Sequence, residues 1–372
     1  MSGMFDHLAL GFGVAFSGTN LLVALIGSFI GTIVGVLPGL GPVNGVAMLV
    51  PIAFAMGLPP DTALILLAAV YVGAEYGGRI TSILINVPGE AAAVMTTLDG
   101  YPMARQGLAS VALSLSAWSS FIGSLIAIIG ITAFAPFLAR WALAFGPAEY
   151  FVLMVFAFCA LTSLLGDQPV KGVLAAAIGL TIATVGVDSN SGVYRYTFDM
   201  PHLADGLDFV VVVIGLFAVA EMLQMLENKL SGISVEVPAS ERKLFNLKEL
   251  RFTAGSTARG GLLGFVIGVL PGAGASVASA VAYANEKRYS EGRDPNAKFG
   301  KGDMRGLTAP EAANNSAATG SFIPMLTLGV PGSGTTAVMM GALTLYNITP
   351  GPVLFDHCLL YTSPSPRDQR GS

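Results

Sequence analysis

The chain has 372 residues, 53% of them hydrophobic and only 11% charged, with a net charge of −4, whereas ordinary soluble proteins carry roughly 25% charged residues. Residues 7–60, 106–139 and 312–355 contain no Asp, Glu, Lys or Arg, and mean hydropathy is +0.69, which describes a surface for lipid rather than water. The same figures leave no basic face for nucleic acid, two cysteines exclude a disulfide framework, and His7, His202 and His357 show no ligand spacing.

In chain order, the N-terminal MSGMFDHLAL lacks a basic n-region and a small-residue cleavage site, so it reads as retained. A first apolar hairpin, 21–58, is broken at Pro38-Gly39-Leu40-Gly41. A spanning helix needs about 20 apolar residues, and 61–86, 107–138, 143–165, 170–188 and 207–227 meet that length. The loop 188–208 between the last two carries Asp188, Asp199, Asp205 and Asp208. Two basic segments follow, 228–259 and 286–305, which together hold 12 of the 19 Lys and Arg residues. The positive-inside rule places both in the cytoplasm. Between them, 260–285 is interrupted at Pro271-Gly272-Ala273-Gly274. Arms of about a dozen residues are too short to cross, which predicts a re-entrant hairpin. The tail 358–372, CLLYTSPSPRDQRGS, has no apolar period and reads as non-native or disordered.

The two breaks belong to an internal repeat. Thr32–Gly41, ending in GVLPGLG, matches Phe265–Gly274, ending in GVLPGAG, at an offset of 233. Glu75 aligns with Glu311 at an offset of 236, which sets Arg79 opposite Asn315, and Val87-Pro88-Gly89 aligns with Val330-Pro331-Gly332 at an offset of 243. The implied slip of seven residues between the last two matches is about two helical turns. Five crossings between the first hairpin and the basic loop put the copies on opposite faces. The predicted fold is therefore an all-α polytopic membrane protein, an inverted-repeat secondary transporter with broken, re-entrant helices at its PGxG motifs. Its predicted parts are a first repeat, 1–227, a cytoplasmic connection, 228–259, and an incomplete second repeat, 260–357.

Glycine accepts positive φ and lets a ligand approach the backbone, and the N–H groups of a half-helix offer a positive dipole end at membrane depth. Gly39, Gly41, Gly272 and Gly274 are accordingly the candidate substrate-binding positions, with close helix packing as the alternative reading. Nearby polar side chains add Asn44, Asn86, Ser276, Asn314, Asn315, Ser333 and Thr335; each also suits a helix cap. Glu75 and Arg79 share a helix face four residues apart. Arg79 would meet a substrate carboxylate while Glu75, with Glu311, senses the coupling ion; a structural Glu75–Arg79 ion pair is the other reading. No HExxH, GxSxG or paired-aspartate motif supports an enzyme, and no cofactor is expected. A channel remains the rival class.

The segments VGVLPGLGPVNGVAMLVP (34–51), EYGGRITSILINVPGEAAA (75–93), VGVDSNSGVYRYTFD (185–199), GVLPGAGAS (268–276), KGDMRGLTAPEAANN (301–315) and IPMLTLGVPGSGTTAVMMGALTLYNITPGP (323–352) resemble the large membrane subunit of the tripartite tricarboxylate transporters, the TctA family. The resemblance implies a bacterial inner-membrane, multi-pass secondary transporter for citrate and related carboxylates, driven by Na⁺ or H⁺. It also implies two partners, a small membrane subunit and a periplasmic solute-binding protein, and a family member that continues past this chain's second repeat.

Overall fold

The structure, a computed structural model, describes residues 2–37, 40–143, 146, 148–149, 151–152, 155, 169–187, 193–198, 200–203, 206–207, 223, 244–351 and 354. Gly39, the tail 358–372 and most of the predicted spans 143–165 and 207–227, which carry the crossing count, lie outside the described residues.

Within them the chain is almost entirely helical. Helices α1 (Ser2–Ala15), α2 (Gly18–Val36), α3 (Gly41–Ala55), α4 (Pro60–Ile85), α5 (Val94–Met103), α6 (Ala109–Leu143) and α7 (Pro169–Ala183) come first. A π-turn at Ala104–Leu108, with Gly107 at φ 78°, joins α5 to α6. A two-stranded ribbon, β1 (Gly186–Val187) against β2 (Tyr194–Arg195), follows α7. Then come α8 (Leu247–Val269), α9 (Gly274–Glu291), α10 (Met304–Gly320), α11 (Phe322–Leu328) and α12 (Gly334–Leu345). Three helical stretches, Gly18–Val36, Pro60–Ile85 and Val94–Phe134, are long and apolar enough to cross a membrane. This is an all-α membrane protein.

Two units with the same packing are built from these helices. On α2, Gly27, Gly31 and Gly35 lie against the carbonyls of Leu66, Val70 and Ala74 on α4; on α8, Gly260, Gly264 and Gly268 lie against those of Ala309, Ala313 and Ala317 on α10. A Cβ at any of the six would collide with that backbone. In lipid no hydrophobic force draws helices together, so close backbone approach through small residues at four-residue spacing supplies the contact. The C-caps repeat as well. Leu37 leaves α2 at φ −80°, ψ 112° and Leu270 leaves α8 at φ −77°, ψ 124°, the extended conformation that a following proline imposes. Asn86 ends α4 at φ 59° with its N–H on the Thr81 carbonyl, and Gly329 ends α11 at φ 66° with its N–H on the Pro324 carbonyl.

This packing corrects the repeat register. The glycine contacts relate α4 to α10 by one offset of 243 from Leu66/Ala309 to Ala74/Ala317, and the caps at Asn86 and Gly329 keep it. No two-turn slip intervenes. Glu75 therefore stands opposite Ala318, Arg79 opposite Phe322, and Glu311 opposite Ala68. The 236 alignment matched side chains; the backbone contacts that set the helix register follow the glycines.

The second hairpin also differs from expectation. Helix α8 begins at Leu247, well before Gly260, behind a capping box in which Asn246 and Glu249 satisfy each other's N–H groups. Its 23 residues, at 1.5 Å rise, span about 34 Å, so the arm is not the short one predicted. The helix persists through charged sequence because Arg259 pairs with Glu286 on α9 at 2.7 Å and stacks on Tyr289. Helix α10 is the central element: every residue from Arg305 to Gly320 is buried. Helix α6 crosses it, with Gly123 over the Ala312 carbonyl.

Candidate functional site

Both breaks open onto one cavity of about 860 Å³. At the first, the chain re-enters helix α3 through Gly41 at φ 62°, with Pro42 in the first turn, where its missing N–H costs nothing. At the second, Gly272 and Gly274 take φ 76° and 66° before α9 begins. The Gly272 N–H donates to the Pro331 carbonyl at 3.2 Å, tying this break to the Val-Pro-Gly loop after α11. The opposite wall is the matching loop after α4, where the Gly89 N–H donates to the Gly78 carbonyl at 3.2 Å.

Four helix N-termini consequently face the cavity, those of α3, α5, α9 and α12. Three of them, α3, α5 and α9, have no side-chain cap on their first N–H groups. At α12 Ser333 caps through a reciprocal bond with Thr336. Each uncapped end carries the positive end of a helix dipole, roughly half a charge. Among the described residues no Lys or Arg lines the cavity. The walls are thus suited to an anion held by backbone donors.

Of the predicted site residues, Gly41, Asn44, Gly272, Gly274, Ser276, Ser333, Thr335 and Glu75 line this cavity. Asn44 donates to the carbonyl of Leu40, the N-cap of its own helix α3, leaving its Oδ1 without a donor. Tyr71 and Ser333 bring their hydroxyls to 3.1 Å, linking α4 to the α12 cap. Gly39 lies outside the described residues. Asn86 is the left-handed C-cap of α4 and does not line the cavity. Asn315 donates to Ser120 Oγ at 2.9 Å and faces a separate apolar groove between α2, α4 and α6.

Arg79 and Glu311 stand behind the cavity wall rather than in it. Arg79 is fully buried and pairs with Glu311 Oε2 at 2.6 Å, not with the Glu75 carboxyl. Its Nη1 also donates to the Ser116 carbonyl at 2.9 Å and to Ser120 Oγ, its Nη2 donates to the Glu75 main-chain carbonyl, its Nε has no partner among the described residues, and Tyr76 lies under the guanidinium. Glu311 accepts in addition from Thr96. This ion pair bridges the two units. The i to i+4 spacing that suggested Glu75–Arg79 places both on one helix, but the nearer carboxylate comes from α10.

Glu90, Tyr71, Ser120 and Thr96 were missed in the sequence. Glu90 lines the cavity directly after Val-Pro-Gly and accepts from Asn314 Nδ2 at 3.1 Å. Its signal was legible: it is an acidic residue at the position, 243 before Ser333, whose counterpart had been singled out. Ser120 and Thr96 lie on α6 and α5, far in sequence from either break, and carried no signal.

Duplicated broken helices closing on one cavity define a membrane transport protein. The chain matches the model of the tripartite tricarboxylate transporter TctA family over residues 21–362 and belongs to that family, a family of transporters and not of enzymes. It is similar to an uncharacterized 52.8 kDa protein from the TAR-I ttuC′ 3′ region of Agrobacterium vitis, 41% identical over 352 residues, covering 95% of this chain and 69% of that protein. A second uncharacterized protein, from the TAR-II ttuC′ 3′ region of the same organism, is 49% identical over 89 residues, 24% of this chain and 36% of its own length. No solved structure matches.

Proposed function

We propose that this chain is the first part of the large permease subunit of a binding-protein-dependent secondary transporter, and that it passes tricarboxylates such as citrate through the cavity between the broken helices. The observation that supports this most is the convergence of four helix N-termini on one cavity that no basic side chain lines among the described residues. Four dipole ends amount to about two positive charges, short of the roughly three negative charges of an ionised tricarboxylate. A co-transported cation, Na⁺ or H⁺, would make up the difference, which favours an ion-driven carrier over a channel.

In this reading the two units are inverted copies, with the basic segments cytoplasmic and the protein multi-pass in the bacterial inner membrane. A periplasmic solute-binding protein delivers substrate, and a small membrane subunit completes the complex. Backbone N–H groups and the Asn44, Ser276, Ser333 and Thr335 side chains do not distinguish one carboxylate from another, so another organic carboxylate is the alternative substrate. Uptake of labelled citrate by the full-length subunit, reconstituted with both partners, tests the proposal. Saturable uptake that collapses with the ion gradient is expected, and gradient-independent, unsaturable flux would mark a channel. Gly272→Leu should abolish uptake with insertion intact, because a side chain at φ 76° would strain the break and intrude on the cavity.

A further inference from the structure

We propose that Glu75 and Glu90 form a proton-carrying pair, and that a carboxylate enters the cavity only when this pair holds a proton; the proposal rests on the transport reading above. Both side chains line the cavity. Glu90 folds back over Gly78, one turn along α4 from Glu75, so the two carboxyls stand together in the same stretch of cavity wall. Two carboxyls sharing one poorly solvated wall disfavour double ionisation, so one of them tends to keep a proton. Glu75 is 3% exposed, and its Oε2 receives no donor from the protein. That buried oxygen is free to carry a proton or to accept the hydroxyl of a protonated Glu90.

The surrounding charges do not remove the need. Glu75 and Glu311 are buried and Glu90 is partly buried in the cavity wall; the three carboxyls are set against Arg79, which is already committed to Glu311 at 2.6 Å. Tyr71 on α4 is the remaining titratable neighbour, and the facing first turns of α3, α9 and α12 bring neither charged nor titratable side chains. The ionised pair would therefore leave uncompensated negative charge in the wall that a carboxylate substrate must approach. Protonation lifts the repulsion from that charge, so substrate and proton bind together, and the coupling requires no contact between them.

The test uses purified full-length permease with citrate as probe. Citrate affinity should fall about tenfold per pH unit once the pair ionises, the slope of one linked proton, and citrate binding in weak buffer should take up protons from a pH dye. Glu75→Gln and Glu90→Gln, which keep volume and hydrogen bonding, should both lose proton uptake and flatten the pH dependence, with the loss of uphill accumulation in vesicles. A second readout is independent of citrate: the infrared band of a protonated carboxyl in wild type, absent from Glu75→Gln. That band with no citrate binding would leave the pair standing and overturn the substrate reading. Absence of the band, unchanged pH dependence in both variants, or binding that follows Na⁺ concentration and loses that dependence in the variants, would overturn the proton pair.

Discussion

The unit from α2 to the loop after α4 and the unit from α8 to α12 share a backbone and differ in chemistry. Glycine stripes, extended residues before proline and left-handed caps recur at fixed offsets. Charged side chains do not. Glu75, Arg79 and Glu90 belong to the first unit, and their counterparts are Ala318, Phe322 and Ser333. What is duplicated is the device that opens helix ends onto a cavity. What is unique is ionisable; under the function proposed above, one set of such groups is enough to couple a substrate to an ion.

The largest effect should come from breaking the shared scaffold. Gly31→Leu and Gly264→Leu should each prevent folding, because the added atoms meet the Val70 and Ala313 backbones rather than movable side chains. The cost should exceed the roughly 1–3 kcal/mol of ordinary overpacking. Loss of the monodisperse peak in size-exclusion chromatography of both variants is expected; survival of one alone would mean that the units are not equivalent supports.

Next is the ion pair between the units. Arg79→Gln strands the Glu311 carboxyl in the interior and should cost about 3–5 kcal/mol. Thermal melting in detergent should show most of that recovered by Arg79→Gln with Glu311→Gln. The same change combined with Glu75→Gln should recover little, and the reverse outcome would return Arg79 to Glu75.

Much of this was legible in the sequence, for physical reasons that differ by residue. Pro-Gly-x-Gly in an apolar run announces a break because proline and glycine act locally, and Gly41, Gly272 and Gly274 sit where the motif placed them. The apolar stretch 61–86 became α4 within a residue at each end. Arg79 was visible as a costly charge, but its partner was set by tertiary packing that brings α10 against α4. The length of α8 was hidden in the same way, since Arg259 counts as a helix breaker for lipid until Glu286 is beside it. Glu90 lay in plain view and was passed over because the repeat match stopped at glycine.

A smaller effect is expected where the units diverge at a helix start. Ser333 caps α12 and meets Tyr71, whereas the matching α5 has no side-chain cap. Ser333→Ala should cost about 1 kcal/mol of stability, read as a lowered melting temperature. Ser333→Thr should restore it.

The smallest effect concerns the starts of the central helices. Helix α4 opens on Pro59 and Pro60 without a capping side chain, while α10 opens on Asp303, 243 residues after Pro60. Asp303 Oδ1 accepts from the Arg305 N–H at 3.0 Å, and Oδ2 accepts from the Lys298 N–H at 3.0 Å and from Arg305 Nη2 at 2.8 Å. Burial alone would raise its pKa, but the Arg305 guanidinium and these N–H groups outweigh it and hold the carboxyl below its ordinary value. A carboxyl depressed in the folded state stabilises it fully above the unfolded pKa of about 3.9, and that contribution is lost as pH falls through the folded value. Protection of the first-turn amides of α10 in hydrogen exchange should therefore be flat from neutral pH down to about 5 and fall only in stronger acid. Asp303→Asn keeps the cap, since asparagine accepts from the same N–H, but removes the charge, so its protection should be lower at neutral pH and insensitive to acid. If the variant keeps the wild-type acid limb, Asp303 is a cap alone and the Arg305 contact contributes nothing to the start of α10.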